Sequence, residues 1–128
     1  MLIFLISVDK KYFEAERVHF AQLPQAGHVE QWDDANRGII MAASGRPYEC
    51  SAWWNEIYKA KSIAELEESI PSWWDTLTLK AVNDLKSKLH TRPELQRKVR
   101  LTQKELQRQG KQWLNGRQIY WMLLQDLK

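Results

Sequence analysis

A single cysteine, Cys50, stands among 128 residues. No internal disulfide can form, which excludes the stapled secreted scaffolds and makes a reducing, cytoplasmic setting the expectation. The three histidines, His19, His28 and His90, lie far from one another and share no close spacing with Cys50, so no zinc quartet is visible. With four prolines and five glycines, no repeat, low-complexity run or linker separates the two halves of the chain. Long apolar runs are missing too. Residues 1–6 are apolar, but no positive charge precedes them and Asp9-Lys10-Lys11 follows closely. The stretch is too short for a membrane span or a signal peptide and reads as a buried first strand. A Gly-rich phosphate loop ending in Lys-Ser or Lys-Thr is absent, which removes the commonest nucleotide-binding chemistry. Neither a cofactor nor a membrane partner is expected.

What the chain does have is asymmetry. Net charge is +3. Residues 1–79 hold 7 Lys/Arg against 12 Asp/Glu, a balance of −5, and residues 80–128 hold 12 against 4, a balance of +8. A basic half points to an anionic partner, or to a face that is merely solvated. Hydrophobic residues at 44% and charged residues at 27% are ordinary globular values, and the length suits one domain.

The expected fold is α+β, a small N-terminal β-sheet of two or three strands packed on a mainly helical C-terminal part of four to five helices. Residues 1–50 would form the α+β part and residues 51–128 the helical part, with the basic segment at 80–128. Residues 2–8 read as an internal strand. Asp9 could cap a helix over 10–23, ended by Pro24 and Gly27, although Arg17-Val18-His19-Phe20 could equally be a strand. Residues 29–32 and 38–43 flank the polar Asp33-Asp34-Ala35-Asn36-Arg37, which suggests strand, loop and strand. Beyond Ser51 the reading is helical. Ser62-Ile63-Ala64-Glu65 and Ser72-Trp73-Trp74-Asp75 have the form of capping boxes, the first opening a short helix and the second one running to about His90. Pro93 between Thr91 and Glu94 suits another first turn.

Two hexapeptides repeat one sentence: Leu101-Thr102-Gln103-Lys104-Glu105-Leu106 and Leu114-Asn115-Gly116-Arg117-Gln118-Ile119. Each reads apolar, capping residue, any residue, basic, Glu or Gln, apolar, the pattern of a capping box with its hydrophobic staple. Between them lies Gly110. Over 93–111 the chain divides on a helical wheel. Leu95, Val99, Thr102 and Leu106 form one stripe, and Arg97, Arg100, Lys104, Arg108 and Lys111 the opposite one, with Gln96, Gln103 and Gln107 beside it. The spacing fits one continuous helix, whereas the box at Thr102 proposes a restart there. With a restart, this part resembles the helix-turn-helix domains of phage repressors. That resemblance covers about 28 residues and departs from the family at Gln107, where a small residue is usual, and in the long interval from Gly110 to Ile119. It implies that Arg117 and Gln118 face base edges while Arg97, Arg100, Lys104 and Arg108 hold phosphates. The second hexapeptide also resembles a helix start in the small helical subdomain of AAA ATPases, a likeness of capping chemistry alone.

Seven tryptophans are the compositional oddity, four of them paired as Trp53-Trp54 and Trp73-Trp74. Each pair follows a serine and precedes Asn55 or Asp75, which suggests a first helical turn. Adjacent helical positions point about 100° apart, so one ring of each pair could enter the core and its neighbour lie at the surface as an anchor for a protein or a stacking platform. Asp33, Asp34 and Glu49 could gather as magnesium ligands, and Cys50 with His28 could form a nucleophile pair; loop solvation and simple burial explain them better. The expected function is non-catalytic nucleic-acid binding through the basic C-terminal region, with duplex DNA favoured. The alternative is a protein-interaction module, an inhibitor or adaptor of the kind phages and mobile elements encode, docking through exposed tryptophans.

Overall fold

The computed structural model describes residues 13–69, 71–111 and 113–128. These form five α-helices, α1 (Val29–Ser44), α2 (Pro47–Lys59), α3 (Asp75–Lys88), α4 (Pro93–Arg108) and α5 (Gly116–Leu127), with short 3-10 turns at Ile63–Leu66 and Leu89–Thr91. No strand occurs among the described residues. The expected α+β architecture is therefore corrected to an all-helical one, and the strand expected over 2–8 lies outside the described residues.

The correction has two physical sources. Residues 13–25 form neither helix nor strand; as the Arg17-Val18-His19-Phe20 alternation hinted, Val18 and Phe20 turn inward while His19 turns out. Their backbone groups are satisfied by helices instead of a neighbouring strand. Phe20 N donates to Asp84 Oδ2 on α3 at 2.7 Å, Ala21 N to Asn36 Oδ1 on α1 at 2.9 Å, and Ala15 N to the carbonyl of Ala43 at 2.8 Å. The indole of Trp32 and the ammonium of Lys80 donate to the carbonyls of Ala21 and Ala15. A buried backbone group needs a partner but not a particular kind of partner, and here side chains and one helix-end carbonyl supply it. The segment is a strap, neither a strand nor, over the described residues 13–23, the helix expected there.

The second source is Asn36. Residues 29–44 are one helix in place of strand, loop and strand, because Trp32, Asn36, Ile40 and Ala43 share its buried face at spacings of four, four and three. The polar stretch looked like a loop only because its inward-facing residue is an amide, occupied by the strap and, at 3.5 Å, by the Tyr120 hydroxyl. Gly45 closes this helix in the left-handed conformation, φ 71°.

Helix α5 is the centre of the molecule, with α2, α3 and α4 packed around it. Its start is the capping box read from the second hexapeptide: Gln118 N donates to Asn115 Oδ1 and Asn115 N to Gln118 Oε1, both at 2.9 Å. The Tyr120 ring anchors the core, stacked on Trp32 at 5.2 Å and tilted against Trp54 at 4.9 Å and Phe20 at 5.9 Å. Its hydroxyl and that of Tyr58 both donate to Asp33 Oδ1, at 2.6 and 2.8 Å. Burial first, and that carboxylate second, push both phenols well above their ordinary pKa. At Ser72 only half of the expected box forms: Ser72 N donates to the Asp75 carboxylate, but Ser72 Oγ accepts from Trp74 N in place of Asp75 N, and α3 begins at Asp75 with Trp74 as its N-cap. At Ser62 they do not: Glu65 accepts from Lys61 N, and the result is a single 3-10 turn.

Candidate nucleic-acid interface

Helix α4 begins with Pro93 at a position where its missing N–H costs nothing, and runs unbroken through Thr102 to Arg108. The restart proposed by the first hexapeptide does not form. With no break there, α4 and α5 do not make the turn that the resemblance to phage repressors required. A propagating helix already supplies partners for the amides at 103–106, so the Thr102 side chain has no orphan donors to cap.

The buried face of α4 is Leu95, Val99 and Gln103, spaced by four. Gln103 was expected beside the basic stripe. It is buried instead because its Oε1 accepts from Leu114 N at 3.0 Å and ties the connection after α4 to the helix. The opposite face carries Arg97, Arg100, Lys104 and Arg108, all exposed. Steps of three and four residues keep these side chains on one side of the cylinder. From Arg97 to Lys104 the helix rises about 10 Å, and to Arg108 about 16 Å.

Their pairing differs. Arg108 is bound to Glu105 at 2.8 Å, Lys111 approaches Glu67 at 3.5 Å, and the neighbouring Lys98 is held by Asp126 at 2.9 Å. Arg97, Arg100 and Lys104 make no ion pair among the described residues. The five cations expected from the wheel thus resolve into three unengaged ones and two that already hold a carboxylate. Between α3 and α4, Arg100 and Lys86 border one hollow of about 230 Å³ with an apolar floor of Leu89 and Val99.

Arg117 and Gln118, expected to face bases, are placed elsewhere. Arg117 is 3% exposed. Its Nε donates to Glu68 Oε1 at 2.9 Å, its Nη1 to Glu56 and, at 3.0 Å, to the carbonyl of Trp53, and its Nη2 to that of Leu66 at 3.5 Å. The guanidinium also lies 5.1 Å from the Trp53 ring centroid. Gln118 is spent on the capping box and on the carbonyl of Ile63. Both residues are buried and hold the protein together, so neither reaches a base.

The tryptophan pairs divide in another way than expected. Helix α2 begins at Pro47, so Trp53 and Trp54 fall in mid-helix, and both are buried. Trp54 lies against Tyr120 and Phe20; Trp53 stacks on Trp74 at 5.0 Å and donates to Glu68 at 2.9 Å. Trp73 is 67% exposed, with the Arg46 guanidinium 4.2 Å from its ring centroid. The exposed ring beside the basic region is a different one, Trp113, 68% exposed in the connection between α4 and α5. Its sequence position carried the signal. A tryptophan in a connection, flanked by Gly110 and the Asn115 cap, has no helical face to turn inward.

The candidate catalytic groups stay apart. Asp33 is occupied by two phenols, Glu49 faces Arg46 at 3.6 Å, and the buried Cys50 thiol points to the carbonyl of Ile40 at 3.7 Å. Among the described residues no group of three or more His, Cys, Asp or Glu side chains could hold a metal ion. Nor is any of the described helices long and apolar enough to cross a membrane. No protein-family model, curated protein or solved structure matches this chain.

Proposed function

We propose that this protein binds nucleic acid without catalysis, by laying the exposed face of α4 along a phosphate backbone. The observation that carries the reading is the row Arg97, Arg100 and Lys104, three exposed cations on one unbroken helix with no carboxylate paired to any of them. Cations without partners exchange only solvent and counterions for phosphate. Arg108 and Lys111 must first give up Glu105 and Glu67. Backbone contacts of this kind position a ligand without reading its sequence, and no base-reading side chain is required of Arg117 or Gln118.

Three released counterions give a log–log salt slope of roughly −2 to −3, against −4 to −5 for five phosphate contacts. Fluorescence anisotropy of a labelled random-sequence oligonucleotide across a salt series measures this slope. Arg100→Glu with Lys104→Glu is expected to abolish binding at moderate salt with the thermal melt unchanged. Binding that ignores this charge reversal refutes the proposal. The second reading, a protein-docking module, rests on Trp73, whose ring is largely exposed. It gains if no nucleic acid binds at low salt.

A further inference from the structure

Trp113 is spatially continuous with the basic row. Lys86, on α3, borders the hollow that Arg100 borders from α4, and its ammonium stands 5.8 Å from the centroid of the Trp113 ring. A path of positive charge therefore leads from α4 to an exposed indole. Beside that indole lies a second hollow of about 560 Å³, with an apolar lining of Leu79, Val82 and Leu114. Leu79 is itself 59% exposed at its rim.

The polar groups on the wall of this hollow are already engaged. Thr78 Oγ1 accepts from Gly116 N at 2.7 Å. Asn115 gives its amide to the carbonyl of Leu66 and its oxygen to Gln118 N. Glu68 accepts from Arg117 and Trp53, and the Asp75 carboxylate from Ser72 N. What the hollow offers is a flat aromatic face and methyl groups. Glu68 and Asp75 in its lining repel phosphate, so an anionic chain would keep its backbone near Lys86 and admit only an uncharged portion. A soluble protein that leaves a large ring and a leucine uncovered beside a cationic path has the parts of a single-strand site, a charged track plus a stacking platform.

We infer that the nucleic acid bound by this protein is single-stranded, with an unpaired base stacked on Trp113 and its flanking phosphates held by Lys86, Arg100 and Lys104. The inference rests on the proposed phosphate-binding role of α4 and adds the form of the ligand to it. The ring and the methyl groups beside it offer stacking, which every base can provide, so little base preference is expected.

The test compares three labelled probes of equal length at fixed low salt: an oligothymidylate, an abasic strand and a duplex. Trp113→Ala is expected to weaken the oligothymidylate about 5- to 100-fold, the range for one lost stacked base, and Trp113→Phe to restore most of it. Affinity for the abasic strand and the duplex should not respond to either change. The ring is mostly solvent-exposed, so the melting temperature should hold. Equal loss on all three probes, or no loss on the oligothymidylate, overturns the stacking site. If Arg100→Glu with Lys104→Glu still abolishes binding in that case, the phosphate-binding reading survives alone. If the wild type binds none of the probes, both fall.

Discussion

Replacing Arg117 by alanine separates a core role from a base-contacting one, and the structure supplies the magnitude. The guanidinium is 3% exposed and engages Glu68, Glu56 and the carbonyls of Trp53 and Leu66. Glu68 is the exposed partner's opposite: its side chain is 13% exposed, against 60% for Glu56. Without Arg117, Glu56 swings into water at little cost. Glu68 is left as a nearly buried carboxylate with one indole donor, and the Trp53 carbonyl loses the guanidinium, while that of Leu66 keeps the Asn115 amide. Breaking a buried pair from one side costs about 3–5 kcal/mol, a large share of the roughly 5–15 kcal/mol that holds a domain together. For a chain of this length that is a melting temperature lowered by about 10–20 °C. Urea denaturation at neutral pH, with a thermal melt beside it, reads both quantities. Adding Glu68→Gln to Arg117→Ala should return part of the loss, because a neutral amide is no longer a stranded charge. An Arg117→Ala protein that melts within about 2 °C of the wild type would refute the core role.

Gly116 sits where α5 meets α3: a Cβ there would lie 2.9 Å from Ala81 Cβ and 3.2 Å from the backbone oxygen of Thr78. Gly116→Ala should cost about 1–3 kcal/mol in urea denaturation, whereas Gly38→Ala, with nothing within 4 Å in mid-α1, should add about 0.5–1 kcal/mol. Equal effects at the two glycines would contradict this packing. Burial pushes the Cys50 thiol up to about 11 despite a hydrogen bond with Ser44 that acts the other way. An unfolded thiol ionises near pH 8.5, so above that pH the unfolded chain sheds a proton the folded one keeps, and stability falls as pH rises. Between about pH 8 and about pH 9.5, below most tyrosine ionisation, Cys50→Ala should lose less stability than the wild type; an identical decline in both would remove Cys50 as its source.

Some of this architecture is legible from neighbours in sequence. The box at Asn115 formed because its partners lie three residues apart and nothing competed for them. The identical pattern at Thr102 was overruled by a helix already in progress. Residues 29–44 were misread because an asparagine occupies a core position, and amides are assigned to loops unless a partner is known. The strap at 13–25 was half legible: its alternation marks an extended chain, but no local signal says that helices would take its hydrogen bonds.

Residue order alone places Arg97, Arg100 and Lys104 on one face, since steps of three and four residues on a helix leave no other arrangement. It also determined the charge division between the two halves and the cap that starts α5. Which cations remain available was decided only in three dimensions. Arg117 is drawn inward by Glu68, 49 residues away, and Trp53 donates to the same carboxylate. Trp113 is left outside because Leu114, next to it, is the residue that Gln103 and the core hold. Periodicity and capping act within one helical turn, whereas burial of a charge or a ring depends on partners that only the folded chain brings together.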